Sequence, residues 1–151
     1  FRAHMETRMV DVLVLTRLRA DGPLGPNIKT WILDCEAWAK LPPGERTGGA
    51  TGDTPTCGVS ARPGYFAAGG TPLSTLANSL SDDLGRRIVD ETGLSGDFEF
   101  TLKWAPSDDP RYADQPSIYT AVQEQLGLRL DARKMNADVL VIDEIRAPTS
   151  N

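Results

Sequence analysis

A chain of 151 residues, 40% hydrophobic and 25% charged, is one domain's worth of sequence with enough apolar material to bury a core. Its 21 acidic residues outweigh 16 basic ones for a net charge of −5, which argues against the basic field that non-specific nucleic-acid binding requires. No apolar run approaches the ~18 residues of a membrane-spanning helix; the longest, Val12 to Leu15, is strand-sized.

The chain starts at Phe1 without an initiating Met and is expected to be a fragment or a processed form. Residues Val10 to Leu18 read as a strand, with Val12, Val14 and Thr16 on one face and Leu13, Leu15 and Arg17 on the other. The nearly unbroken apolar centre predicts burial on both faces. Asp21 to Asn27 is a turn cluster rich in Gly and Pro. Cys35 to Leu41 predicts a short helix stopped by Pro42-Pro43, and Pro42 to Thr56 reads as a loop.

Cys35 and Cys57 are the two cysteines. They are either two free thiols in a reducing compartment or a disulfide in an exported protein. We expect the disulfide, because so long an irregular loop is costly unless pinned, and closing it is worth about 3 kcal/mol. Trp31 and Trp38 flank Cys35. They are expected to cover the disulfide, or else to form an exposed aromatic patch for a partner.

Gly58 to Ala68 predicts a short strand around Tyr65 and Phe66. Thr71-Pro72 then opens a helix, with Thr71 as its cap; Leu73, Leu76, Ala77, Leu80 and Leu84 form one apolar stripe, and Gly85 ends it. Arg87 to Val89 is a short strand. Asp90 is expected to cap the Thr92-Gly93-Leu94-Ser95-Gly96 turn through its side chain. Phe98, Phe100, Leu102 and Trp104 alternate with polar residues, the pattern of a strand with one wet face.

Pro106 to Pro116 is a second loop, carrying Asp108, Asp109 and Asp114. Ser117 caps a helix lined by Ile118, Ala121, Val122 and Leu126 and ended by Gly127. Leu128 to Arg133 and Val139 to Ile145 read as two strands joined by a turn at Lys134-Met135-Asn136, with Pro148 as a final breaker.

These elements predict an α+β fold, with two helices on a mostly antiparallel sheet. Residues 1–70 supply a strand and the disulfide-pinned loop. Residues 71–151 supply two helix–strand–strand repeats, which pack together as one compact domain. The repeat is similar in architecture to the N-terminal modules of secretin channels and TonB-dependent receptors.

Catalytic patterns are sparse. There is no nucleophile elbow, since Leu94-Ser95-Gly96 lacks the strand-to-helix setting, and no phosphate-cradling glycine loop. His4 is the only histidine and is read as an ordinary strand or surface residue. Asp108, Asp109 and Asp114 are weak candidates for holding Ca²⁺, although their spacing is not that of an EF-hand loop. A solvated polar loop is the plainer reading.

Gly85-Arg86-Arg87-Ile88-Val89-Asp90-Glu91-Thr92-Gly93-Leu94-Ser95-Gly96, followed by Phe98 to Trp104, resembles the core of the "soil-associated" conserved hypothetical family of acidobacteria and related soil bacteria. Phe1 to Thr7, Gln123 to Leu130, Val139 to Asp143 and the terminal Asn151 resemble further parts of its C-terminal portion. The resemblance implies an additional N-terminal portion with an export signal or membrane anchor, and a paired Cys35 and Cys57. It implies no catalytic residues. The expected function is therefore a periplasmic or extracellular, non-enzymatic module that binds a partner protein or cell-envelope component. The alternative is a small hydrolase, metal-dependent or not, acting on small esters or lactones.

Overall fold

A computed structural model of the chain describes residues 2–45 and 57–145. Most of the expected loop before Cys57, and Pro148 with Asn151, lie outside those residues. The fold is α+β, mostly sheet, and antiparallel except for one strand pair.

Among the described residues seven strands form two sheets. The first contains β1 (Arg2–Arg17), β5 (Ile88–Asp90) and β7 (Leu128–Glu144) in the order β5-β1-β7. The second contains β2 (Ile28–Thr30), β3 (Gly58–Arg62), β4 (Tyr65–Thr71) and β6 (Phe98–Lys103) in the order β2-β6-β4-β3. The expected strand at Gly58 to Ala68 is thus a hairpin, turned at Pro63-Gly64 where Gly64 takes φ +76°. Helix α1 is Cys35–Ala39, α2 is Leu73–Leu84 and α3 is Ile118–Ala121, which runs on as a π-helix over Val122–Leu126.

The core forms where the apolar stripes of these elements meet. Leu13 and Leu15 of β1, Leu128 and Leu130 of β7, and Ile88 of β5 join Phe66, Phe98, Phe100 and Leu102 from the second sheet. Leu73, Leu76 and Leu80 of α2 and Ile118, Val122 and Leu126 of the last helix complete it. Phe66 and Phe100 stack with centroids 5.6 Å apart. Val12 and Val14 are buried as well, so the centre of β1 is covered on both faces, as its unbroken apolar run predicts.

Three local devices fix the connections. Gly85 and Gly127 end their helices in the left-handed conformation. Gly127 also lets the Asp21–Asn27 turn approach: the Gly25 amide donates to the Leu126 carbonyl at 3.0 Å, and a Cβ on Gly127 would stand 2.6 Å from the Gly25 nitrogen. Ser81 Oγ accepts from the Ile88 amide at 2.9 Å and so ties α2 to β5.

Three expectations need correction. Thr71 does not cap α2. It is held in β4 opposite Phe98, past a register shift at the positive-φ Gly70, and Pro72 stands at the cap position without a side-chain bond. The turn at Lys134-Met135-Asn136 is absent too. Those residues continue β7, opposite Asp11, Val10 and Met9 of β1. The two helix–strand–strand units therefore do not recur, since one ends in a single 17-residue strand and the other sends β5 and β6 to different sheets.

Candidate functional site

The unforeseen feature is the outer half of the β1–β7 pair. The ladder runs in register from Ala3 opposite Ile142 to Arg17 opposite Leu128. Beyond β5, Ala3 to Asp11 and Lys134 to Ile142 make a two-stranded ribbon that projects from the core. Opposed residues of an antiparallel pair share a face, and each strand alternates. One face therefore carries Leu13, Leu15, Leu128 and Leu130 inside the core, and continues outward through Asp11 opposite Lys134, Met9 opposite Asn136, Met5 opposite Leu140 and Ala3 opposite Ile142. Out there nothing among the described residues covers its large apolar side chains: Met5 is 62% exposed, Met9 59%, Leu140 59% and Ile142 51%. Thr7 and Asp138 also lie on this face, between Met9 and Met5, joined by a hydroxyl-to-carboxylate bond of 2.8 Å.

The opposite face sets a charged cluster among the half-buried Val10, Met135, Val139 and Val141. His4 lies between two carboxylates, with Nε2 2.7 Å from Glu6 Oε1 and Nδ1 2.6 Å from Asp143 Oδ2. Arg8 Nε donates to the other Glu6 oxygen at 2.7 Å. Neutral imidazole has one N–H, so both contacts are satisfied as hydrogen bonds only in the imidazolium form. Glu6 first, and Asp143 second, raise the His4 pKa above its ordinary 6.5. His4 and then Arg8 lower that of Glu6.

The other singled-out residues lie elsewhere. Asp90 Oδ1 accepts from the Thr92 amide (2.9 Å) and hydroxyl (2.7 Å), and Thr92 Oγ1 accepts from the Leu94 amide. Gly93 and Gly96 supply the positive φ angles of this turn. Glu91 beside it pairs with Arg133 at 3.1 Å.

Cys35 and Cys57 form a disulfide, with Cα atoms 5.8 Å apart. Trp31 and Trp38 are half-buried. A Cβ on Gly70 would meet the Cys35 sulfur and stand 3.0 Å from Trp31 Nε1, so the bare Gly70 backbone seats both side chains.

Asp109 caps a 3₁₀ turn at Pro110–Tyr112, accepting from the Arg111 amide at 2.9 Å and pairing with its guanidinium at 3.0 Å. The Arg111 side chain and amide lower its pKa. Asp108 and Asp109 line an open cleft of about 490 Å³ with Tyr112, Ser117 and Tyr119, and Asp114 is not part of that lining. An adjoining cleft of about 440 Å³ is lined by Arg62, Tyr65, Lys103, Tyr112 and Gln115. The Arg62 guanidinium sits 3.8 Å above the Tyr65 ring. Among the described residues no three His, Cys, Asp or Glu side chains gather as a metal-ligand set, and no helix is long and apolar enough to cross a membrane.

The ribbon was hidden because its two halves are separated by more than a hundred residues. A period-two signal was nevertheless there: Ala3, Met5, Thr7 and Met9 alternate with His4, Glu6 and Arg8. A family model described as "Protein of unknown function (DUF3738)" matches residues 1–145. No curated protein and no solved structure matches the chain.

Proposed function

The chain belongs to that family of unknown function, and from that premise we propose that it is an extracytoplasmic, non-enzymatic binding module whose binding element is the β1–β7 ribbon. One observation carries the reading: on the face that carries the core leucines, past the Asp11–Lys134 pair, the large apolar side chains Met5, Met9, Leu140 and Ile142 stand exposed. An isolated two-stranded ribbon is marginal in water, and a concentrated exposed apolar patch marks an interaction site. The Cys35–Cys57 disulfide supports an oxidising compartment. The resemblance to the soil-associated family implies an exported or anchored parent. The likeness to secretin and TonB-dependent-receptor modules rested on the helix–strand–strand repeat and falls with it; the first test goes to the cell envelope because an exported or anchored parent would meet its partner there.

The test is co-sedimentation with isolated bacterial envelopes. The unchanged chain and a Tyr119→Lys control are expected in the pellet, and a Met5→Lys/Leu140→Lys double variant in the supernatant. Equal behaviour of all three overturns the reading. Turnover of nitrophenyl esters or lactones that is lost in Asp109→Asn would establish the hydrolase instead.

A further inference from the structure

We infer that the free edge of β1 pairs with β1 of a second copy of this chain, antiparallel and centred on Thr7. The inference concerns the strand edge, and it stands independently of what the apolar face binds.

The phase of the strand comes first. The Leu13 amide donates to Arg87 across to β5, and the Leu15 carbonyl accepts from Glu91 there. In a regular strand, backbone groups of alternate residues point to the same edge. The β1–β7 ladder is regular from Ala3 to Arg17. The N–H and C=O groups of Met5, Thr7 and Met9 therefore point to the β5 side, while those of His4, Glu6 and Arg8 point to β7. Among the described residues β5 pairs only with Leu13 to Leu15, and nothing pairs with the edge further out. That leaves a row of unsatisfied backbone groups on an exposed strand, the ordinary template for strand addition.

The side chains then select the occupant and the register. Two antiparallel copies can bond only with odd residue opposite odd residue, which leaves few twofold centres. A centre at Glu6 sets Glu6 against its own copy, and a centre at Arg8 does the same with Arg8. Like charges directly opposed are destabilising. A centre at Met5 pairs His4 with Glu6 but sets Arg2 against Arg8, and a centre at Met9 shifts the overlap toward the β5 end.

A centre at Thr7 sets Glu6 opposite Arg8 of the second copy and Arg8 opposite its Glu6. Met5 then meets Met9, Thr7 meets Thr7, and Met9 meets Met5. The segment Met5-Glu6-Thr7-Arg8-Met9 is self-complementary about Thr7 in charge and in shape. From Met5 to Met9 the pairing makes about six backbone bonds. It joins the ribbons into a four-stranded sheet, β7-β1-β1-β7. Such a twofold contact uses the same patch on both partners, as closed dimers do.

Sedimentation velocity over a concentration series tests this with the full chain, its disulfide intact. The unchanged chain is expected to associate to a dimer. Glu6→Arg and Arg8→Glu alone set like charges across the axis twice, and should each weaken association by about tenfold or more. Mixed one to one, they restore complementarity and should form a heterodimer, and the double variant E6R/R8E should dimerise as the unchanged chain does. Thr7→Cys is expected to cross-link between copies on oxidation, while Asp138→Cys on the far edge of the ribbon is not. This pair decides the matter should a charge variant fail to fold. A chain that stays monomeric at every concentration overturns the inference. So does a dimer that ignores both charge changes, or one lost only in Met5→Lys/Leu140→Lys, which would place the contact on the face.

Discussion

The same two strands behave in opposite ways along their length. At Val12 to Leu15 β1 is buried completely, and at Ala3 to Met9 it stands in solvent, yet one ladder with β7 runs through both halves. The inner half is held by apolar burial from two sheets and two helices. The outer half has backbone bonds, a histidine clasp, the Thr7–Asp138 bond and a row of valines and Met135 that is only half-buried. Strand pairing thus settles geometry in both places, while packing settles stability in only one.

Unfolding in urea should break this comparison if it is wrong. Phe100→Ala removes a fully buried ring that stacks on Phe66, and is expected to lower the unfolding free energy by about 3–5 kcal/mol. Met5→Ala in the ribbon should cost less than about 0.5 kcal/mol in the monomer. Similar losses at the two sites would mean that the ribbon belongs to the core.

The disulfide comes next. Reduction, or Cys35→Ser with Cys57→Ser, frees a loop with a sequence separation of 22 and should cost about 3 kcal/mol in the same assay. Gly127→Ala follows. It places a Cβ at φ +66°, against the Gly25 backbone, and a loss of about 2 kcal/mol is expected.

The smallest effect sharpens the comparison from the ribbon side. His4 has a raised pKa, so its contribution is fully present below its ordinary 6.5 and is lost as pH climbs through the raised folded value. Glu6 has a lowered pKa, so its contribution is present above 4.5 and is lost as pH falls through the folded value. The clasp is whole only between those limits. Amide exchange at residues 3–6 and 141–143, corrected for intrinsic rates, should quicken as pH rises past the upper limit. His4→Gln should flatten that response, and the amides of Leu13 to Leu15 should not follow it.

Much of the fold could be read from local pattern. The alternation of Phe98 to Trp104, the stripe from Leu73 to Leu84, and the stops at Gly85 and Gly127 all carry their own signal within a few residues. The ribbon did not, because its partner lies across the whole chain. Lys134-Met135-Asn136 is polar and sits between two apolar runs, so it reads as a turn; only Met9, Val10 and Asp11 opposite make it a strand. Thr71 misleads for a related reason, since its cap chemistry is overridden by the pairing of β4 with β6. The acidic loop residues were legible as residues and not as a site, because Asp109 spends its oxygens on Arg111.

The β1–β7 pair also sets a timetable. β1 lies between β5 and β7 in its sheet, yet it is made long before the strand that completes it. Until residues 128–144 have left the ribosome, Leu13 and Leu15 have no neighbour on one side. Contacts this distant in sequence slow folding, and they leave an unfinished chain open to cleavage or clumping. A chain that must be threaded through a narrow pore before it folds gains from that delay, since β7 can pair with β1 only after residues 128–144 are across.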